Sequence, residues 1–426
     1  MTIKTMFKDF LRNLAIDNVT QISNRYTEIT CALNKHFRGN NSKTKNTLQV
    51  GSYGRRTAIK GISDLDMLYI MPSDKWDTYK DNGQAKILCD VRAVILARYP
   101  NTTIKVDRYV VAVEFTNFII EICPVFEQND GSFKYPDTHA GGKWKITKPR
   151  EEMQAMQGLN DDKNENLYCL CRMIRAWKNK VGINMNGLLI DTLAYDFLKS
   201  TGEYDNKSYA HYDCMCRDFF EYLSELPERG YYHAPSSKQQ VYVKQKFQKK
   251  AKTAYENCLT AIQKEGSNSV YKKWRKVFGN TFPKSQVIES RNYPQTWDNT
   301  EEFIEDKYSV DIRYSLNIDC DVSQDGFRLF HLKYMLLNKM PLKAKKKLRF
   351  HIQKNTTPQP YSVKWKVLNR GEKAKKLNQI RGEIIDDAGG EKQEEVTSFK
   401  GEHIVECYIL KKNVVVARSQ ISVPIE

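Results

Sequence analysis

Leu48-Gln49-Val50-Gly51-Ser52-Tyr53-Gly54-Arg55-Arg56-Thr57-Ala58-Ile59-Lys60-Gly61-Ile62-Ser63-Asp64-Leu65-Asp66-Met67-Leu68-Tyr69-Ile70 is the stretch whose reading decides the fold. Its apolar end reads as a buried strand that Asp64 and Asp66 enter two residues apart. Strand alternation puts both carboxylates on one face. Two acids pointing into one space repel each other unless positive charge lies between them, and a divalent cation meets that need. Hard oxygen ligands favour magnesium, or manganese in its place, with a bound phosphate completing the shell. Ahead of the acids, Gly51-Ser52 at a strand-to-helix turn offers backbone N–H groups and one hydroxyl to phosphate. Arg55, Arg56 and Lys60 follow close by in sequence. A Gly-Ser pair alone means almost nothing, and Asp-x-Asp alone is weak. The two together, with eleven residues between Ser52 and Asp64 and a later acid in a hairpin, are a strong signal.

A third acid strengthens it. In Phe118-Ile-Ile-Glu121-Ile-Cys-Pro124, Glu121 stands alone in an apolar run. A buried, unpaired carboxylate is costly, so Glu121 needs a partner. The runs Val110–Phe115 and Phe118–Val125 flank Thr116-Asn117, which predicts an antiparallel hairpin. Strands pair about 4.8 Å apart, so Glu121 reaches the same site if its strand lies beside that of Asp64 and Asp66. The bland alternative makes Asp64 a cap and Glu121 an edge-strand surface residue.

Outward from this core, residues 1–48 read as helical, with Phe7, Leu11, Leu14, Ala15, Val19 and Ile22 at near-helical spacing. Residues 49–126 form the catalytic sheet, interrupted by a helix over Ala85–Arg98. Residues 150–284 form a helical lobe with no convincing strand, and 285–307 a polar linker. Residues 308–426 carry strand periodicity at Tyr308–Ile318, Leu348–Ile352, Tyr361–Leu368, Glu402–Leu410 and Val414–Ile421, the pattern of a small β-sandwich. The expected class is α+β: a mixed core with a helical lobe (1–284) followed by a C-terminal β-sandwich domain (308–426).

The 426 residues are 40% hydrophobic with 24 Tyr and 18 Phe, enough to build cores and to exclude a disordered chain. No apolar run approaches the roughly 20 residues of a membrane span. The first residues carry charges where a signal peptide would be apolar, so a cytoplasmic location is expected. The net charge of +17 is concentrated. Lys238–Lys284 carries twelve basic and two acidic residues, and Lys339–Lys354 seven basic and none acidic. Such stretches attract polyphosphates, although any single lysine is better read as solvated surface. Ten cysteines without a Cys-x-x-Cys pair read as free thiols. His211 with Cys214 and Cys216 lacks the spacing and the fourth ligand of a zinc site.

Gly51-Ser52, Asp64-x-Asp66 and Glu121-x-x-Pro124 together resemble the nucleotidyltransferase superfamily of DNA polymerase β. Within it, Gly-Ser-Tyr-x-x-x-Thr-Ala-Ile is similar to the bacterial cGAS/DncV-like nucleotidyltransferases over about residues 10–280. Trp365-Lys-Val-Leu-Asn-Arg-Gly371-Glu-Lys-Ala374, Arg381-Gly382 and Lys400-Gly401-Glu-His403-Ile-Val-Glu406-Cys407 resemble the adenylyl/guanylyl-cyclase and SMODS C-terminal sensor domain. The third acid is Glu where many members have Asp. Met173-Ile-Arg175-Ala-Trp177-Lys178 resembles the family's phosphate-gripping helix, and either Arg175 or Lys178 could be the gripping residue, with Lys178 preferred. The family's Ser on the next helix is replaced near Asn186-Gly187.

The residues alone argue for metal-dependent nucleotidyl transfer. Asp64 and Asp66 would hold two ions and Glu121 one, and all three are the candidate catalytic residues. Gln49, Gly51, Ser52, Arg56, Thr57, Arg175 and Lys178 are the candidate nucleotide contacts. The resemblance implies cyclic di- or trinucleotides, or short oligonucleotides, made from ATP and other NTPs as second messengers in antiphage defence. It also implies a downstream effector reached through the product, and a regulatory ligand or protein at the C-terminal domain, with no need for membrane or long nucleic acid. The neighbourhoods of Trp365 and His403 are candidate contacts there, although Trp365 reads better as a sandwich-core tryptophan. The competing readings are a template-independent RNA or tRNA nucleotidyltransferase and a catalytically silent nucleotide sensor.

Overall fold

The structure is a computed structural model that describes residues 2–267, 269–284, 302–323, 329–369, 374, 381–397 and 401–425. It forms two compact units, Met1–Glu289 and Ser290–Glu426. Most of the expected linker, with Gly371 and Lys400 of the sensor-like motif, lies outside the described residues. The end of that linker is corrected: Ile304–Lys307 form a helical turn, and Ile304 is buried in the second unit's core.

In the first unit, α1 (Ile3–Leu14) and α2 (Val19–Arg38) replace the single helical stretch expected over 1–48. They part company in packing. Phe7 and Phe10 of α1 join Trp274, Phe278 and Phe282 in an aromatic cluster, with Phe10 and Phe278 centroids 4.8 Å apart. Ile22, Ile29 and Leu33 of α2 instead pack with the sheet. The strands are β1 (Thr47–Gln49), β2 (Asp64–Ile70), β3 (Thr103–Asp107), β4 (Val110–Glu114), β5 (Ile119–Glu127), β6 (Phe133–Asp137) and β7 (Lys143–Thr147). A four-residue helix α3 (Gly51–Gly54) follows β1; α4 (Trp76–Tyr79) and α5 (Gln84–Arg98) follow β2. The sheet runs β1-β2-β5-β4-β3, with β6 on β5 and β7 on β6. Its one parallel pair is β2 with β5, in register Asp64↔Ile119 and Asp66↔Glu121. The predicted hairpin is present as β4 and β5, antiparallel with Ala112↔Glu121.

The lobe is built from α6 (Pro149–Asp162), α7 (Asn166–Val181), α8 (Gly187–Ser200), α9 (Tyr212–Glu225), α10 (Gln248–Gln263) and α11 (Val270–Phe278). Leu167, Leu170, Ile174 and Trp177 put the apolar stripe of α7 wholly inside the lobe core. The expectation of no strand here is corrected. Tyr231–His233 (β8) and Gln240–Tyr242 (β9) form an antiparallel hairpin whose three-residue strands are too short and polar to show a period.

The second unit holds a five-stranded sheet, β10 (Ser309–Val310), β18 (Val414–Ile425), β17 (Gly401–Lys411), β14 (Ser362–Leu368) and β15 (Ile384–Asp386) in that order. A four-stranded sheet runs β12 (Phe330–His331), β11 (Leu316–Ser323), β13 (Lys347–Asn355) and β16 (Lys392–Val396). The turn at Ile304–Lys307 is α12, and α13 (Leu332–Leu337) is the other helix among the described residues here. The strand expected over Tyr308–Ile318 is two: Asp311 and Arg313 break it by donating their N–H groups to the carbonyls of Val415 and Val416. Both sheets feed one core, as a sandwich requires. Trp365 is fully buried there, its indole N–H donated to Asp387 Oδ1 at 2.9 Å, which is the core role preferred from sequence. His403 is also buried.

Candidate active site

The site begins with one glycine. After β1 the chain must turn sharply past β2, and Val50 donates its N–H to the carbonyl of Asp66 at 3.0 Å. Gly51 then takes φ +63, and a Cβ built on it would lie 1.7 Å from Asp66 Oδ2. Only glycine fits both the left-handed backbone and that approach. Gly54, one turn on, has no room either, since its Cβ would meet the Gln49 carbonyl at 2.2 Å. The turn is therefore packed directly onto the acid it precedes.

The parallel register sets Glu121 beside Asp66, with Asp64 two residues earlier on the same face. Burial, with Asp64 as the next cause in the same sense, raises the Asp66 carboxyl above its ordinary value, against the pull of Arg55. Burial raises Glu121 as well, and Asp66 and Asp64 add to it. Asp66 and Glu121 thus sit where their own negative charge is unwelcome, which is the electrostatic signature of a cation site. Among the described residues no three His, Cys, Asp or Glu side chains form a ready metal cage. The fit of the acids to a metal therefore rests on register, charge and oxygen chemistry.

These acids open onto a cleft of about 870 Å³, at the upper end of the range for ligand pockets of roughly 300–1,000 Å³. One wall carries Gly51, Ser52, Arg55, Asp64, Asp66 and Glu121, and the lobe contributes Arg175, Lys178, Asn186 and Gly187. Helix α8 starts there, its Asn186 side chain accepting the Leu189 N–H at 2.7 Å. Lys178 is partly buried, and burial, then Arg175 and Lys244, lower its ammonium pKa. A cation pressed by burial and by other cations is relieved by a bound anion. Arg175 is more deeply placed, held by Asp191 and by the carbonyl of Gly187.

The other sequence candidates lie elsewhere. Gln49, Arg56 and Thr57 are not among the residues lining the cleft. Arg56 stacks over the Tyr168 ring, 4.9 Å to its centroid, and bonds Gln157; Thr57 is fully buried with its hydroxyl on Asp191. Sequence reasoning missed Tyr109, Tyr135, Glu152, Tyr242 and Lys244 on the cleft wall, and Asp191 behind it. Tyr109 and Tyr135 meet edge to face at 5.7 Å. Asp191 could have been found, because it is a lone acid in the apolar run Leu188-Leu-Ile-Asp191-Thr-Leu, the very signal that marked Glu121.

The comparisons with known proteins fit this geometry. Residues 1–160 match the family model of the Second Messenger Oligonucleotide or Dinucleotide Synthetase (SMODS) domain, and residues 298–426 that of the Adenylyl/Guanylyl and SMODS C-terminal sensor domain. A probable cyclic nucleotide synthase of Bacillus cereus is 23% identical over 279 residues, covering 56% of this chain and 82% of that protein. The solved structure of Escherichia coli CdnC with HORMA-deltaN covers 65% of this chain and 98% of its own, at a TM-score of 0.51 and 15% identity, a likeness of fold. The chain is thus similar over its first 160 residues to the Second Messenger Oligonucleotide or Dinucleotide Synthetase domain, and over residues 298–426 to the sensor domain of the same naming.

Proposed function

We propose that this chain is a magnesium-dependent nucleotidyltransferase that builds cyclic di- or trinucleotides, or short oligonucleotides, from NTPs as second messengers in antiphage defence. The observation that carries the reading is the register Asp66↔Glu121, with Asp64 two residues before, against a Gly51 that no side chain could replace. Asp64 and Asp66 would hold two ions and Glu121 one. Bound there, the metal would supply charge neutralisation to an in-line displacement at phosphorus. The chain's own part is placement. Ser52 and the N–H groups of its turn face the phosphates, Lys178 answers the triphosphate charge, and Glu121 is placed to take the proton of the attacking hydroxyl. The C-terminal sandwich is the place for a regulatory ligand or protein. Among the described residues no helix is long and apolar enough to cross a membrane.

The test is incubation of the purified chain with magnesium and labelled NTPs, singly and mixed, followed by phosphatase. A small phosphatase-resistant product is expected. Extension of an added RNA primer, with no small product from NTPs alone, would replace the reading with that of an RNA nucleotidyltransferase.

A further inference from the structure

Asp191, on α8, is fully buried and takes four hydrogen bonds. Arg175 Nη1 reaches Oδ1 at 2.6 Å and Nη2 reaches Oδ2 at 3.0 Å. Arg55 Nε donates to Oδ2 at 2.8 Å, and the Thr57 hydroxyl to the same oxygen at 3.1 Å. Three segments therefore converge on one carboxylate: the turn after Gly51-Ser52, helix α7 and helix α8 itself. Both arginines are buried and both line the cleft. Two guanidiniums thus converge on one carboxylate, with Glu152 and Asp66 also close enough to act on Arg55. Arg55 is gripped through Nε, so its Nη groups are not spent on Asp191. Arg175 Nη2 also donates to the Gly187 carbonyl at 3.1 Å, and a Cβ on Gly187 would lie 3.9 Å from Ser52 Cβ. The arginine pair therefore stands directly behind the Gly51-Ser52 turn.

We propose that Asp191 is a positioning residue for nucleotide binding, fixing the guanidiniums of Arg55 and Arg175 so that they meet the triphosphate held at that turn. This rests on the nucleotidyltransferase reading above. A buried carboxylate with two arginines is not in itself stabilising, because desolvation offsets most of the Coulomb attraction. Its value lies in orientation, since a guanidinium fork recognises phosphate only when aimed.

The sign of one substitution separates positioning from simple charge. Asp191→Asn keeps the shape and removes one negative charge from beside the phosphates. Charge alone would then tighten nucleotide binding. Positioning predicts the opposite, because the amide cannot accept from both arginines, and an amide N–H then faces a guanidinium. The experiment measures the Kd of a non-hydrolysable NTP analogue with magnesium by calorimetry, alongside KM, kcat and Tm, on the full chain. The expected result is a Kd and KM raised about tenfold or more with a smaller change in kcat, since hydrogen bonds to charged groups are lost in ground and transition states alike. Leu193→Ala, a cavity in the same helix, is the control: it should lower Tm without moving Kd. Should Asp191→Asn not fold, Arg175→Lys keeps the charge but loses the fork, and should raise Kd several-fold. Unchanged or tighter binding in the folded variants, or an equal Kd shift in Leu193→Ala, overturns the proposal. Because binding is read separately from turnover, a chain that binds nucleotide but makes no product refutes the reading of function, while the Kd comparison still decides the role of Asp191.

Discussion

Replacing Gly51 with alanine adds one methyl group, and the structure says where that group must go. At φ +63 the new Cβ falls 1.7 Å from Asp66 Oδ2, 2.6 Å from its Cγ and 3.0 Å from its Cβ. An ordinary carbon–oxygen contact needs well over 3 Å, so the carboxylate or the turn must retreat by roughly 1.5 Å. The backbone adds a second cost, about 1 kcal/mol or more for a non-glycine residue held in the left-handed region. Asp66 cannot escape freely, because its strand is locked between β1 and β5. A displacement of about 1 Å at reacting groups costs on the order of 100-fold in rate. Gly51→Ala should therefore lower kcat/KM at least that much while the unit stays folded, with Tm down by a few degrees. The assay is pyrophosphate release from NTP with magnesium, beside thermal unfolding of the same preparation. Turnover within about threefold of the parent would refute the argument that the turn and the acid are packed as one piece.

Four further outcomes are expected. Asp64→Ala with Asp66→Ala should remove activity by about three decades or more, measured as product from labelled NTP, since no remaining side chain holds both ions. Ser52→Ala should cost only about 0.5–1.5 kcal/mol of kcat/KM, whereas Lys178→Ala should mainly raise KM; the reverse pattern in steady-state kinetics would reassign the two. Asp66 and Glu121 have raised carboxyl pKa values, so in the folded state they bind protons the unfolded chain has lost. They cost stability above the ordinary carboxylate value and nothing below it. The Tm gain from millimolar magnesium should then be largest near pH 7 and fade as pH falls through the raised values, where protons displace the ion. Finally, a chain ending at Glu289 should fold and keep magnesium-dependent synthesis, since the acids and the cleft all lie in the first unit; insoluble protein or lost turnover on truncation would show that the sandwich is needed.

What could be read in advance follows from the range of the forces involved. The hairpin β4–β5 was legible because two apolar runs meet at Thr116-Asn117, a local signal. The stripe of α7 was legible for the same reason. The hairpin β8–β9 was not: each strand is three residues long, and only Tyr232 and Val241 are buried. The parallel pairing of β2 with β5 is a long-range fact. Asp66 and Glu121 are separated by α4, α5 and two other strands, and the sequence could state only that the pairing would unite the acids. The cleft wall from the lobe was beyond reach, because Tyr242, Lys244 and Asn186 reach it through tertiary packing, with no pattern of their own.

The arginines show most clearly what a sequence motif leaves unsaid. Among cations near the turn, Arg56 and Arg55 are neighbours in sequence and look interchangeable. Their fates differ by backbone geometry. Arg56 sits at φ +61 and swings out to stack on Tyr168, while Arg55 closes the α3 turn and is carried inward to Asp191. Burial of Arg55 is tolerable because Asp191 lies within hydrogen-bond reach, with Glu152 and Asp66 close enough to hold its charge in place. The same guanidinium lowers the pKa of Asp66 against burial. One side chain thus ties a candidate catalytic acid of the sheet to a helix of the lobe, and a rigid-body opening of the cleft would have to break that tie. Residues that hold a two-part site closed are selected by where their charge can be paired, and a pairing partner 136 residues downstream is invisible until the chain is folded.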